Sequence, residues 1–146
     1  MSLPTARKLN VLVVDDDPSM VRILQSLLTL QLNKSAQVHV ETDGEAARDW
    51  LVTHRCDILI SDIEMPRLDG LALLRAAKAR NAWTQVVFLT GHTSIDRLTE
   101  AVELGASDYL LKPLDREEIA EVVAQLARRC ARWQSAVLGT FATSGG

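Results

Sequence analysis

Cysteine and histidine are both scarce in this chain, and their scatter removes several chemistries at once. Cys56 and Cys130 stand far apart with no Cys-x-x-Cys spacing, and His39, His54 and His92 do not sit at ligand spacing. Neither a thiol redox pair nor a zinc site is therefore indicated, and both cysteines read as small core residues. Excess positive charge is missing too: a net charge of −3 gives no general attraction to nucleic acid, so no direct nucleic-acid binding is expected. No apolar run approaches the roughly 18 residues that span a bilayer. The start Met1-Ser2-Leu3-Pro4-Thr5-Ala6-Arg7-Lys8 lacks the hydrophobic segment that drives secretion. A cytoplasmic protein without membrane attachment is expected. Repeats, low-complexity tracts and linkers are also lacking. With 146 residues, 47% hydrophobic and 24% charged, the chain suits one core-forming domain.

What is present alternates regularly. Leu9 to Val14 is an apolar strand broken only by Asn10, and it runs into Asp15-Asp16-Asp17-Pro18. Pro18 fits a first helical turn and Asp17 can cap it, which leaves Asp15 and Asp16 without a structural role. A helix follows to about Asn33 with Val21, Ile23, Leu24, Leu27, Leu28 and Leu30 at three- and four-residue spacing. Ala36 to Glu41 reads as a second strand, and Asp43-Gly44 opens a helix. Ile58 to Ser61 is a third strand ending at Asp62, with Pro66 and Asp69-Gly70 closing its loop, and a helix spans Leu71 to Ala79. Gln85 to Leu89 is a fourth strand ending in Thr90-Gly91, and a helix from Ser94 to Leu104 stops at Gly105. Ser107 to Leu111 is the fifth strand, ending in Lys112-Pro113, and a long fifth helix starts at Glu117.

Five nearly unbroken apolar strands alternating with five helices imply an α/β fold: a doubly wound parallel sheet covered on both faces. With the flavodoxin-like strand order 2-1-3-4-5, the winding reverses between the first and third strands, and Asp15, Asp16 and Asp62 share one rim. Carboxylates about 4 Å apart repel by roughly 4 kcal/mol at an effective dielectric near 20. Lys112 offers one compensating charge, and a hard divalent ion with oxygen ligands would supply the rest. Magnesium beside an aspartate, a lysine and the Thr90 hydroxyl is an arrangement for phosphoryl transfer, with a carboxylate oxygen as nucleophile. Taken singly, Asp62 reads as a turn or cap residue, Thr90 as a helix cap and Lys112 as a solvated lysine. The conjunction on successive strand ends carries the functional reading.

The set Val13-Val14-Asp15-Asp16-Asp17, Ser61-Asp62-Ile63-Glu64-Met65-Pro66 with Asp69-Gly70, Leu89-Thr90-Gly91, and Gly105 through Pro113 resembles the receiver domain of bacterial two-component response regulators. The resemblance covers about residues 8–130 and leaves 131–146 as a C-terminal helical extension and tail. It implies that Asp62 accepts a phosphoryl group from a sensor histidine kinase or a phosphotransfer protein. It also implies Mg²⁺, or Mn²⁺, bound by Asp16, Asp62 and the backbone carbonyl of Glu64, with Asp15 holding a metal-bound water. Thr90 and Lys112 would contact the phosphoryl oxygens, and the Lys112-Pro113 bond is typically cis in relatives. Tyr109 matches the family's switch aromatic, though it reads as well as a sheet-edge tyrosine with its hydroxyl in water. Glu64 and His92 fall at the variable positions that modulate how fast water attacks the acyl phosphate. Such a protein is not a conventional enzyme; it catalyses its own Mg²⁺-dependent phosphorylation and autodephosphorylation.

Two rivals share parts of this chemistry. A phosphatase of the haloacid dehalogenase type places its aspartyl nucleophile on the first strand, whereas here the acid pair comes first and the candidate nucleophile third. A flavodoxin-like flavin carrier needs a first loop that cradles phosphate, and Asp15-Asp16-Asp17 would repel one. In the fifth helix, Ile119, Val122, Val123, Leu126, Cys130, Trp133 and Val137 form one stripe, and Gly139 is the expected stop. Ile119 to Leu126 are expected in the core, although Val122 takes the position where dimerising relatives carry a surface arginine. Trp133, Val137, Leu138 and Phe141 lie past the sheet's reach, to be covered by a second copy, an output domain or a fold-back onto the receiver. Beyond that helix too little chain remains for an output domain, so either a stand-alone receiver or the front of a longer protein is expected.

Overall fold

The computed structural model describes residues 7–144, with the backbone alone for 141–144. The strands are β1 (Leu9–Val14), β2 (Ala36–Glu41), β3 (Ile58–Ser61), β4 (Gln85–Thr90) and β5 (Asp108–Leu111). The helices are α1 (Pro18–Leu32), α2 (Gly44–Thr53), α3 (Gly70–Arg80), α4 (Ile95–Glu103) and α5 (Arg116–Ser144). All strand pairs are parallel and the order is β2-β1-β3-β4-β5, as the strand and helix alternation predicts.

Each central strand is buried on both faces because successive side chains point to opposite sides. Val11, Val13, Ile58, Ile60, Val87 and Leu89 meet α1 and α5 on one side. Leu12, Val14, Leu59, Val86 and Phe88 meet α2, α3 and α4 on the other. Helix starts follow side-chain chemistry: Asp17, Asp43, Asp69 and Ser94 each accept a backbone N–H of the first turn, and Asp115 does the same for α5. The α4 helix ends at Gly105, whose φ of 98° lets the Ala106 N–H turn back to the Ala101 carbonyl.

One expectation about α5 changes. The helix runs through Gly139 to Ser144, because one glycine costs a helix only about 1 kcal/mol and leaves the neighbouring ladder in place. As expected for Ile119 to Leu126, Val122 is buried in the core with Ile119, Val123, Leu126 and Cys130. Trp133 folds back and stacks on Trp83 in the turn after α3, with ring centroids 6.1 Å apart. Leu138 stays 47% exposed, and the side chain of Phe141 lies outside the described residues. Cys56 and Cys130 are buried, and burial pushes both thiols up, Cys130 to about 11, so both are core residues and not nucleophiles.

Candidate functional site

The reversal of winding opens a crevice at the carboxyl ends of β1 and β3, where the Asp62 N–H bonds the Val14 carbonyl at 3.1 Å. The loop after β1 is held by Asp15 itself, whose Oδ1 accepts the Asp17 N–H at 2.9 Å. Across the crevice, the Asp62 Oδ1 accepts the Glu64 N–H at 3.2 Å, and its Oδ2 accepts from Lys112 Nζ at 3.0 Å. The same Nζ lies 2.8 Å from Asp15 Oδ2, a charge contact without hydrogen-bond alignment. That oxygen is buried, with the Lys112 ammonium as its cationic neighbour. Asp16, by contrast, is exposed at the rim.

Burial pushes the Asp15 carboxyl above the ordinary carboxylate range, and Lys112 and the Asp17 amide offset this only in part. For Lys112 burial acts in the opposite direction, yet Asp15 and Asp62 outweigh it and hold the ammonium above its usual value. The lysine is therefore a fixed positive charge between two carboxylates. Its approach depends on β4 and β5: the Lys112 N–H bonds the Thr90 carbonyl at 2.9 Å, and the Lys112-Pro113 peptide is cis. Thr90 is buried, with its hydroxyl donating loosely to the His92 carbonyl at 3.5 Å. Ser94, not Thr90, caps α4. Gly70 closes the floor: a Cβ there would lie 2.2 Å from the Asp62 carbonyl oxygen, so only glycine lets α3 start this close.

A family model for the response regulator receiver domain matches residues 11–124. The chain belongs to the response regulator receiver family. Among curated relatives, this receiver is 38% identical over 84% of its length to the DNA-binding transcriptional regulator NtrC of Klebsiella pneumoniae. It spans only 25% of the length of that regulator. Among solved structures it resembles the receiver domain of the Francisella response regulator 1452, with 31% identity, a TM-score of 0.68, and coverage of 84% of this chain and 98% of that one. The signal receiver domain of an HD domain-containing protein from Pseudomonas fluorescens Pf-5 shares the fold, with 24% identity and a TM-score of 0.80 over 92% of this chain and 97% of that one. Membership of this family disfavours both the phosphatase and the flavin-carrier readings.

Receiver domains bind Mg²⁺ at a cluster of aspartates, and this one has such a cluster: ligand oxygens of Asp15, Asp16 and Asp62 all lie within 4.8 Å of one another. The cluster fits a hard cation, since three carboxylates share the single Lys112 ammonium and leave negative charge to be neutralised. No helix among the described residues is long and apolar enough to cross a membrane.

The structure brings Asp15, Asp16, Asp62 and Lys112 together, with Thr90 at the adjoining strand end. His92 is exposed, and Tyr109 is 49% exposed with its ring outward. The Glu64 carboxylate turns away to α4, where its Oε1 meets Arg97 Nε at 2.6 Å and accepts from Thr93 Oγ1 at 3.3 Å. Arg97 also pairs with Asp69, so one guanidinium ties α4 to both ends of the β3–α3 loop. Arg97 carries no motif that marks it in the sequence. Its only signal was a basic residue on the polar face of a short amphipathic helix.

Proposed function

We propose that this receiver accepts a phosphoryl group on Asp62 from a phosphohistidine of a sensor kinase or phosphotransfer protein, and switches conformation to control an output. The observation that supports it most is Asp62 held 3.0 Å from Lys112 beside the buried carboxylate of Asp15. In the transfer the P–N bond to the donor histidine breaks as a P–O bond to the Asp62 carboxylate forms, and the imidazole leaves with the electron pair. A Mg²⁺ or Mn²⁺ ion held by Asp16, Asp62 and the Glu64 carbonyl, with Asp15 bonding one of its waters, would neutralise the charge on the incoming phosphoryl oxygens. Lys112 binds one phosphoryl oxygen. Thr90, whose present bond is long, rotates its hydroxyl to another, and Tyr109 follows it inward. Glu64 and His92 set the access of water and so the lifetime of the acyl phosphate.

In this reading residues 8–130 form the receiver, and 131–146 a C-terminal helical extension and tail that folds back on the receiver base at Trp133 and offers its remaining apolar face to an output domain or a second copy. The protein works in the cytoplasm. Control of DNA belongs to whatever the receiver governs, and its own surface makes no direct contact with nucleic acid. The test is acetyl phosphate labelling followed by intact mass. The parent should gain one acid-labile phosphoryl group only with Mg²⁺, and Asp62→Asn should gain none. Equal labelling of Asp62→Asn would show that the nucleophile lies elsewhere.

A further inference from the structure

At the opposite end of the sheet, below the amino ends of β1, β3 and β4, a half-open pocket of about 190 Å³ lies between the receiver base and the second half of α5. Its walls are mostly apolar: Trp83 and Trp133 lie nearly parallel at 13°, and Val137 and Leu138 close the far side. Its polar groups are unusually placed. Asp57 is buried, and both its oxygens are engaged, Oδ2 by the Asn10 N–H at 2.8 Å and Oδ1 by Arg7 at 3.3 Å. Arg55 Nε stands 3.6 Å from Asp57 Oδ1, beyond hydrogen-bond reach. That Nε and Gln134 Nε2 are both buried with no hydrogen-bond partner among the described residues. Two guanidinium groups against one carboxylate leave the cavity with a surplus positive charge.

Two buried donors without acceptors, a surplus cation and flat aromatic walls together specify a complement. It must accept hydrogen bonds, carry one negative charge and present a flat apolar body. An apolar cavity of about 150 Å³ holds benzene, so the space here suits one ring with one small substituent. We propose that this cavity binds a monocyclic aromatic carboxylate, its ring against the tryptophans and its carboxylate on Arg55 Nε and Gln134 Nε2. Because α5 supplies one wall, the ligand ties the extension to the receiver base, independently of the chemistry at Asp62.

Sodium benzoate is the probe, titrated into the full chain by calorimetry and by tryptophan fluorescence. One equivalent should bind with a dissociation constant at or below about 1 mM, and benzyl alcohol should bind at least about tenfold more weakly. Arg55→Gln, with the Arg55 side chain 40% exposed, should weaken benzoate about tenfold or more while leaving the circular dichroism spectrum unchanged. Leu138→Trp, at a half-exposed wall position, should fill the space and abolish binding. No saturation by about 10 mM benzoate, equal binding of the alcohol, or binding that survives both substitutions would overturn the assignment.

Discussion

Replacing Lys112 with methionine keeps the aliphatic reach of the side chain and removes its charge, which isolates what the ammonium does. The lysine is 22% exposed, and the Asp15 and Asp62 side chains are 2% and 10% exposed, so screening by water is weak at this triad. Carboxylate oxygens within 4.8 Å repel by about 3.5 kcal/mol at an effective dielectric of 20. Without Lys112 part of that is relieved by protonating Asp15, whose carboxyl burial already pushes up. A net loss of about 3 kcal/mol is expected in chelator at neutral pH, a fall of roughly 6–12 °C in Tm for a chain of this size. The sign with pH follows. A carboxyl raised in the folded state destabilises above its unfolded value, 3.8 for Asp15, so the variant should gain on the parent as pH falls toward that value. Added Mg²⁺ should restore more stability to the variant than to the parent, because the ion no longer competes with an ammonium. Thermal melts in chelator and in Mg²⁺ at several pH values provide the assay. A Tm within about 2 °C of the parent in chelator, or a deficit that does not change with pH, would refute the electrostatic account.

Three further outcomes are expected. Gly70→Ala forces a methyl to 2.2 Å from the Asp62 carbonyl oxygen and 2.9 Å from the Phe88 ring; it should cost about 1–3 kcal/mol in urea melts and slow acetyl phosphate labelling. Trp133→Ala removes the stack on Trp83 and should lower stability by about 1 kcal/mol with no change in sedimentation, since the ring packs within its own chain. Burial would raise the Asp69 carboxyl, but the Ala72 amide and Arg97 outweigh it and hold it below the ordinary range. Its stabilisation is therefore present above the unfolded value of 3.8 and lost as pH falls through the lower folded one, so Asp69→Asn should be less stable at neutral pH and converge with the parent in acid urea melts.

Much of this architecture could be read from residue order, because a parallel sheet covered on both faces demands strands that are apolar without interruption. Val11–Val14, Ile58–Ile60 and Val86–Leu89 meet that demand and are all buried. The acids and the lysine were legible for a related reason: each ends such a strand, and strand order alone brings them to one rim. Helix faces were less legible. The apolar stripe of α1 is wider than its contact, so Ile23 and Leu30 face water while Val21, Leu24 and Leu28 are buried. Arg97 was out of reach because its two partners, Glu64 and Asp69, meet it only through a loop whose path includes Arg67 at a φ of 67°.

The fifth helix is one uninterrupted piece of 29 residues. At 1.5 Å per residue it is a rod of about 43 Å, so a tilt of about 5° at its first turn carries the far end through nearly 4 Å. Its start follows closely on Lys112-Pro113, at the edge of the acidic crevice, while Trp133 and Val137 rest on the opposite pole. A displacement too small to disturb the sheet would thus be geared up along the rod, and the receiver base meets that motion where Trp133 stacks on Trp83.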